Sequence, residues 1–223
     1  MYVGPRTTLH FIRHADAVPD HDAHIEDTGG YDMLGLSVKG AAQARALARR
    51  LAETTRLAAV YASPTRRAFE TATAVGEAAR LPINVDERMK EIYLGDESVG
   101  HVAPAERAPL VRERLKAFAA MAIRDGTWAG LPDAESGAAV RARMLAAVTE
   151  IVAQHPDAHV AIVSHAGSIN AYLAGVVGVS RDFFFPIRNT SLSSVRVFRE
   201  QTLLLRLNDT AHLERARATT DEE

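Results

Sequence analysis

Short apolar runs of strand-forming residues alternate along this chain with stretches whose apolar residues recur at helical spacing, and that alternation leaves few folds open. Residues 8–13 (TLHFIR), 57–62 (LAAVYA), 83–85 and 159–164 (HVAIVS) read as strands. After the first of these, Val38, Ala41, Ala44, Leu47 and Leu51 make one helical stripe behind an N-cap at Ser37. Pro64 suits the first turn of a second helix that runs to about Arg80, and further helices cover about 138–154 and 166–177. Strand and helix in alternation specify an α/β fold: three α/β/α layers with a mostly parallel central sheet. Residues 191–198 and 203–207 read as two closing strands, and the tail after His212 as frayed. Residues from about 96 to 137 interrupt the alternation with a helical pattern and a Gly-bounded break. They are expected to form a helical cap inserted in a single domain spanning 1–223.

Composition removes several functions. The 223 residues hold no cysteine, which excludes disulfides, thiolate metal sites and a cysteine nucleophile together. A net charge of −2 and the lack of single-sign runs give no reason to expect nucleic acid or a membrane surface as partner. No run of about 18 apolar residues is present and no signal-peptide core opens the chain, so the cytoplasm is the expected location.

Three of the strands end in groups that carry chemistry. The first ends at Arg13-His14, the second at Ser63-Pro64 with Arg66 and Arg67 just beyond, and the third at Ser164-His165. Ligands of open α/β sheets bind at the carboxyl edge. If these strands are parallel neighbours, two imidazoles and at least two guanidiniums converge there. Such a cluster suits a phosphate, which arginine matches bidentately.

The segments IRHADA, LSVKGAAQARALA, YASPTRRAFETA, MKEIYLGD and IVSHAGSI, in this order, resemble the histidine phosphatase superfamily, which includes the phosphoglycerate mutases. The resemblance covers most of residues 8–198 and leaves the cap unmatched. It implies that His14 is the nucleophile, that Arg13 and Arg67 hold the phosphate oxygens, and that His165 donates to the same group. It also implies that Glu91 protonates the leaving oxygen and then activates water. Chemistry agrees: phosphoryl transfer needs positioning and charge stabilisation above all. An imidazole whose second nitrogen is held as a donor is nucleophilic near neutrality.

Each residue also has an ordinary reading. Arg66 and Arg67 could both be surface residues of a helix, with Arg67 the better phosphate ligand. Glu91 has acidic neighbours at Glu87, Asp96 and Glu97. Ser63 and Ser164 most simply turn the chain, and Asn189 is either a pocket residue or a turn residue. The stretch 14–27 gathers His14, His21 and His24 with five acids. Its spacing fits no helical metal motif, so it reads as a solvated loop from which His21 could reach substrate. No metal and no cofactor are expected.

The chain departs from the family pattern at Ala15, where glycine is usual, at Ala17 and at Asp20. The cap lacks the segments that mutases use to hold a bisphosphate, although it carries Arg107, Arg112, Arg114, Lys116, Arg124, His101 and Trp128. The expected activity is therefore a metal-independent phosphomonoesterase acting on a small phosphorylated metabolite such as a sugar or glycerate phosphate. A homodimer is compatible with this reading. The alternatives are a phosphoglycerate mutase, a protein phosphohistidine phosphatase, or a phosphate-binding module without turnover.

Overall fold

The structure is a computed structural model that describes residues 6–17, 34–95, 104–199 and 201–218, with side chains omitted for 104–112 and 215–218. Strand β1 (Arg6–Arg13) leads to α1 (Val38–Thr54), β2 (Leu57–Ala62), α2 (Arg66–Ala79), β3 (Ile83–Val85) and a 3-10 turn at Glu87–Met89. Helices α3 (Pro104–Asp125) and α4 (Gly137–Gln154) follow, then β4 (His159–Ser164), α5 (Ala166–Val177), β5 (Leu192–Phe198), β6 (Gln201–Asp209) and α6 (Ala211–Ala218).

The six strands form one sheet in the order β3-β2-β4-β1-β5-β6. The first four are mutually parallel, and β5 and β6 add antiparallel at one edge. β4 lies between β1 and β2, and the parallel pairing of these strands is made possible by crossover connections through helices. Alternation along each strand splits the apolar residues between two faces. Leu9 and Phe11 of β1 with Val160 and Ile162 of β4 meet Met144 and Ile151 of α4 and Ile169 and Leu173 of α5. Ile12, Val60, Ala161 and Val163 meet Leu47 and Leu51 of α1 and Ala68, Ala72 and Val75 of α2 on the other. Full burial of a side chain such as Leu47, Phe11 or Ile162 contributes about 1.5–3 kcal/mol each. Trp128 joins the first core completely buried, its indole N–H donating to the Glu135 carbonyl at 2.7 Å.

Ser37 caps α1 as expected, its hydroxyl accepting from the Gly40 N–H at 3.0 Å. Three expectations change. Pro64 lies outside α2, whose N-cap is Thr65, because the chain needs Ser63 and Pro64 to turn out of β2 before the helix begins. The last strand is longer than its apolar core, since β6 runs from Gln201 to Asp209 on ladder bonds that polar residues also make, whereas β5 begins one residue later than expected, at Leu192. The tail after His212 is helical to Ala218: α6 packs on α1, and His212 is buried. Among the described residues, no helix is long and apolar enough to cross a membrane.

Candidate active site

The carboxyl ends of β1, β2 and β4 lie side by side, which brings His14, Ser63 and His165 together. Backbone bonds extend the ladder past the strand ends: His14 N–H donates to Ser164 O, and Ser63 N–H to Val163 O, both at 2.9 Å. The chain after β1 is then fixed from α1 and α2. The Ala15 N–H donates to Thr71 Oγ1 at 3.0 Å and the Asp16 N–H to Gln43 Oε1 at 2.9 Å. The Asp16 carbonyl accepts from Ser37 N–H at 3.0 Å, and it approaches α1 so closely at Gly40 that any Cβ there would overlap it.

Arg67, in the first turn of α2, is buried and spans both imidazoles. Its Nε donates to His14 Nε2 at 3.3 Å and its Nη2 to His165 Nδ1 at 3.3 Å. A guanidinium only donates, so these two ring nitrogens are acceptors and the tautomers follow. His14 carries its proton on Nδ1, which donates to the Ala15 carbonyl at 2.7 Å. His165 carries its proton on Nε2, which donates to Ser63 Oγ at 2.9 Å, with Thr65 Oγ1 at 3.3 Å. The ring centroids stand 5.0 Å apart.

Burial above all, then the Arg67 and Arg13 guanidiniums, holds the His14 imidazole well below its ordinary range, against the opposing pull of the Ala15 carbonyl. His165 is lowered in the same direction by burial, then by Arg67, His14, Arg13 and Arg143. Both rings are therefore neutral, and His14 presents a lone pair on Nε2 toward a positive charge.

Arg13 is half-buried, and its Nη1 donates to the Ile187 carbonyl at 2.6 Å. Asn189 reaches the site through the backbone, donating from Nδ2 to the His14 carbonyl at 2.9 Å. Arg66 points away into an exposed ion pair with Glu70 at 2.7 Å, which leaves Arg67 as the arginine of this helix at the site.

Glu91 sits at the N-terminus of α5, directly after His165. Its carboxylate accepts from the backbone N–H groups of Gly167 at 3.2 Å and Ser168 at 3.1 Å, and from that of Ile92 at 3.0 Å. Gly167 permits this approach, since a Cβ there would stand 2.7 Å from Glu91 Oε1. An acidic group so placed also has a plain structural value, about 0.3–2 kcal/mol as a helix-terminus partner.

Several contacts were not apparent from the sequence. Thr71 anchors Ala15, Ser63 fixes the His165 tautomer, and Arg143 holds the Glu91 segment by its carbonyls. Only the serine's place at a strand end carried any signal. Ala15 is completely buried and serves through its backbone, so the methyl is accommodated. On α3, Arg114 donates to the Leu94 and Pro132 carbonyls, and Lys116 and Arg124 pair with Glu113 and Asp125. Asp20, His21, His24 and His101 lie outside the described residues, as do the side chains of Arg107 and Arg112.

The model of the histidine phosphatase superfamily (branch 1) matches residues 9–210. The chain is 34% identical over 182 residues to the glucosyl-3-phosphoglycerate phosphatase of Mycolicibacterium vanbaalenii, covering 78% of this chain and 76% of that protein. It is 29% identical over 216 residues to phosphoserine phosphatase 1 of Hydrogenobacter thermophilus, covering 92% and 93%. Among solved structures, Bacillus stearothermophilus YhfR superposes with a TM-score of 0.69 at 27% identity, over 93% of this chain and 99% of that one.

Proposed function

This chain belongs to the histidine phosphatase superfamily and is a phosphoric monoester hydrolase, and from that premise we propose that it works through a phosphohistidine on His14. The observation that carries the proposal is the guanidinium of Arg67 set against both His14 Nε2 and His165 Nδ1, with the other nitrogen of each ring pinned as a donor.

In the first half-reaction Nε2 of His14 attacks phosphorus and the ester P–O bond breaks. Arg67 and Arg13 carry the charge of the equatorial oxygens, which is the main demand of this transition state. The Nδ1–H bond to Ala15 O strengthens as positive charge develops on the ring. Glu91 gives its proton to the leaving oxygen, and the carboxylate so formed accepts from the Gly167 and Ser168 amides. In the second half-reaction that carboxylate takes a proton from water as the water oxygen attacks phosphorus. The P–N bond then breaks, and neutral His14, protonated Glu91 and inorganic phosphate result. No step uses a metal.

The substrate is a small phosphorylated metabolite of the sugar or glycerate phosphate kind. The relative named for glucosyl-3-phosphoglycerate supports the glycerate kind, and the one named for phosphoserine supports a small phosphorylated metabolite in general. Residues from about 96 to 137, between the Glu91 segment and α4, are the cap that selects it within a single domain.

The test is hydrolysis of p-nitrophenyl phosphate with EDTA present, together with label transfer from a 32P ester followed by alkaline quench. Wild type keeps its activity and traps acid-labile label. His14→Ala loses both, with a fall of at least about 10³-fold in rate. Turnover retained by His14→Ala, or abolished by EDTA, overturns the mechanism.

A further inference from the structure

Arg143 stands on α4, outside the histidine cluster, and one nitrogen of its guanidinium is committed to a single short stretch of chain. Its Nη1 donates to the carbonyls of Arg88 at 2.6 Å and Lys90 at 2.8 Å, and its Nη2 to that of Glu91 at 3.3 Å. The remaining fork meets Glu135, with Nε on Oε1 at 2.7 Å and Nη2 on Oε2 at 2.9 Å. A further contact runs from Nη2 to Ser168 Oγ at 3.4 Å, and that hydroxyl donates to Lys90 O.

Glu135 extends the grip to the far side of Glu91. Its backbone N–H donates to the Tyr93 carbonyl at 2.8 Å, and its carboxylate accepts from the Tyr93 N–H at 3.4 Å. Beyond the 3-10 turn, residues 90–95 have no regular secondary structure, so side chains from elsewhere set the direction of this backbone. Three carbonyls within four residues, all taken by one planar cation, leave Glu91 little freedom of direction. The pair is only slightly exposed, 19% for each side chain, so solvent screens it weakly.

We propose that Arg143, held in turn by Glu135, is a positioning residue that sets the Glu91 carboxyl for proton transfer to the leaving oxygen. The inference rests on the reading of Glu91 as the general acid. Reach to a proton is a matter of tenths of an ångström, and a backbone that swings at residue 91 costs the transfer without touching the phosphate.

The consequence is selective. p-Nitrophenolate departs without a proton, whereas phenolate, a stronger base of nearly the same shape, needs one. A variant that misplaces Glu91 therefore slows phenyl phosphate more than p-nitrophenyl phosphate. Damage to the fold or to the phosphate site slows both alike. The ratio of the two kcat/KM values, taken on one preparation, does not depend on how much of the protein is folded.

In Glu91→Gln the ratio of p-nitrophenyl to phenyl phosphate turnover rises about 10²-fold. In Arg143→Met it rises about 10-fold, and in Arg143→Lys, which keeps charge but not the fork, by less. If Arg143→Met does not fold, Arg143→Lys and Glu135→Gln are read by the same ratio, and a rise in either supports the proposal. A ratio unchanged in the Arg143 and Glu135 variants but raised in Glu91→Gln overturns the role of Arg143 and leaves the acid intact. A ratio unchanged in Glu91→Gln itself fells the acid assignment, and the positioning role with it.

Discussion

Strand β1 presents two buried histidines four residues apart, and they differ in what surrounds them. His10, within the strand, stacks on His159 of β4 with ring centroids 5.3 Å apart. Its Nδ1 meets Ser194 Oγ at 2.8 Å and its Nε2 meets His159 Nδ1 at 3.0 Å. His14, just past the strand, pairs with His165 across Arg67. Both are buried, and both are held below the ordinary histidine range chiefly by burial, His10 to about 4. Burial and a lowered pKa therefore do not distinguish a site from a core. What distinguishes His14 is its place at the carboxyl edge and a long 3.3 Å bond from a cation that also suits a phosphate oxygen. His10 has both nitrogens taken, by Ser194 Oγ and His159 Nδ1, which leaves no lone pair for a ligand.

The sharpest way to break this contrast is to remove the cation. Arg67→Met should lower kcat/KM for p-nitrophenyl phosphate by about 10²–10³-fold, and Arg67→Lys should restore only part of it, because an ammonium cannot address two partners in one plane. The same change should raise the His14 and His165 pKa values toward what burial alone allows, which histidine-resolved NMR titration would follow. A loss of less than about threefold would mean that Arg67 is core structure, and that the two histidine pairs are alike after all.

The His10 pair gives the opposite test, in stability rather than turnover. His10 titrates near 6.5 when unfolded and near 4 when folded, lowered by burial first, then by His159 and Arg206. Between those values the unfolded chain binds more protons, so stability rises with pH across the window and falls as pH drops from 6.5 toward 4. The effect is at most on the order of 3 kcal/mol. His10→Gln, which does not titrate, should remove its share of that slope in denaturant melts at a series of pH values, leaving the share of the other lowered histidines. Its kcat/KM at pH 7 should stay within about threefold of wild type. A tenfold loss of kcat/KM would show that the pair bears on catalysis, contrary to its geometry.

How much of this was legible in the sequence depends on the length scale of each cause. The ends of β1, β2 and β4 could be read because apolar runs stop abruptly at Arg13-His14, Ser63 and Ser164-His165. Ser37 was readable as a cap because capping acts over three residues, and Arg67 was separable from Arg66 only through the family motif. Arg143 was invisible, since an arginine on a helix reads as solvated and the carbonyls it holds lie 52 to 55 residues away. The His10–His159 pair was hidden as well: inside TLHFIR and HVAIVS each histidine looks like one more strand residue. Its meaning comes only from the register that sets Thr8 opposite His159.

A fourth buried histidine sharpens the contrast, because it lies between the two cases. His212 of α6 accepts from Arg50 on Nδ1 at 3.4 Å, which leaves its Nε2–H to donate to Thr190 Oγ1 at 3.1 Å. Arg50 is itself fixed on Asp209 by two bonds of 2.9 and 2.6 Å. Thr190 has φ 56°, a left-handed conformation that costs a β-branched residue about 1–3 kcal/mol and needs support from its surroundings. The turn it makes ends on the site: Thr190 N–H donates to the Arg13 carbonyl, and Asn189 Nδ2 to the His14 carbonyl, both at 2.9 Å. His212 therefore touches no phosphate but stands behind the backbone that holds Arg13 and His14. His212→Phe should cost about 1–2 kcal/mol of stability by leaving Thr190 and Arg50 short of a partner. Its kcat/KM should fall by only about two- to fivefold, because the strand pairing of β1 with β4 still fixes His14. A loss approaching that of Arg67→Met would mean that the turn, rather than the strand, sets the position of His14.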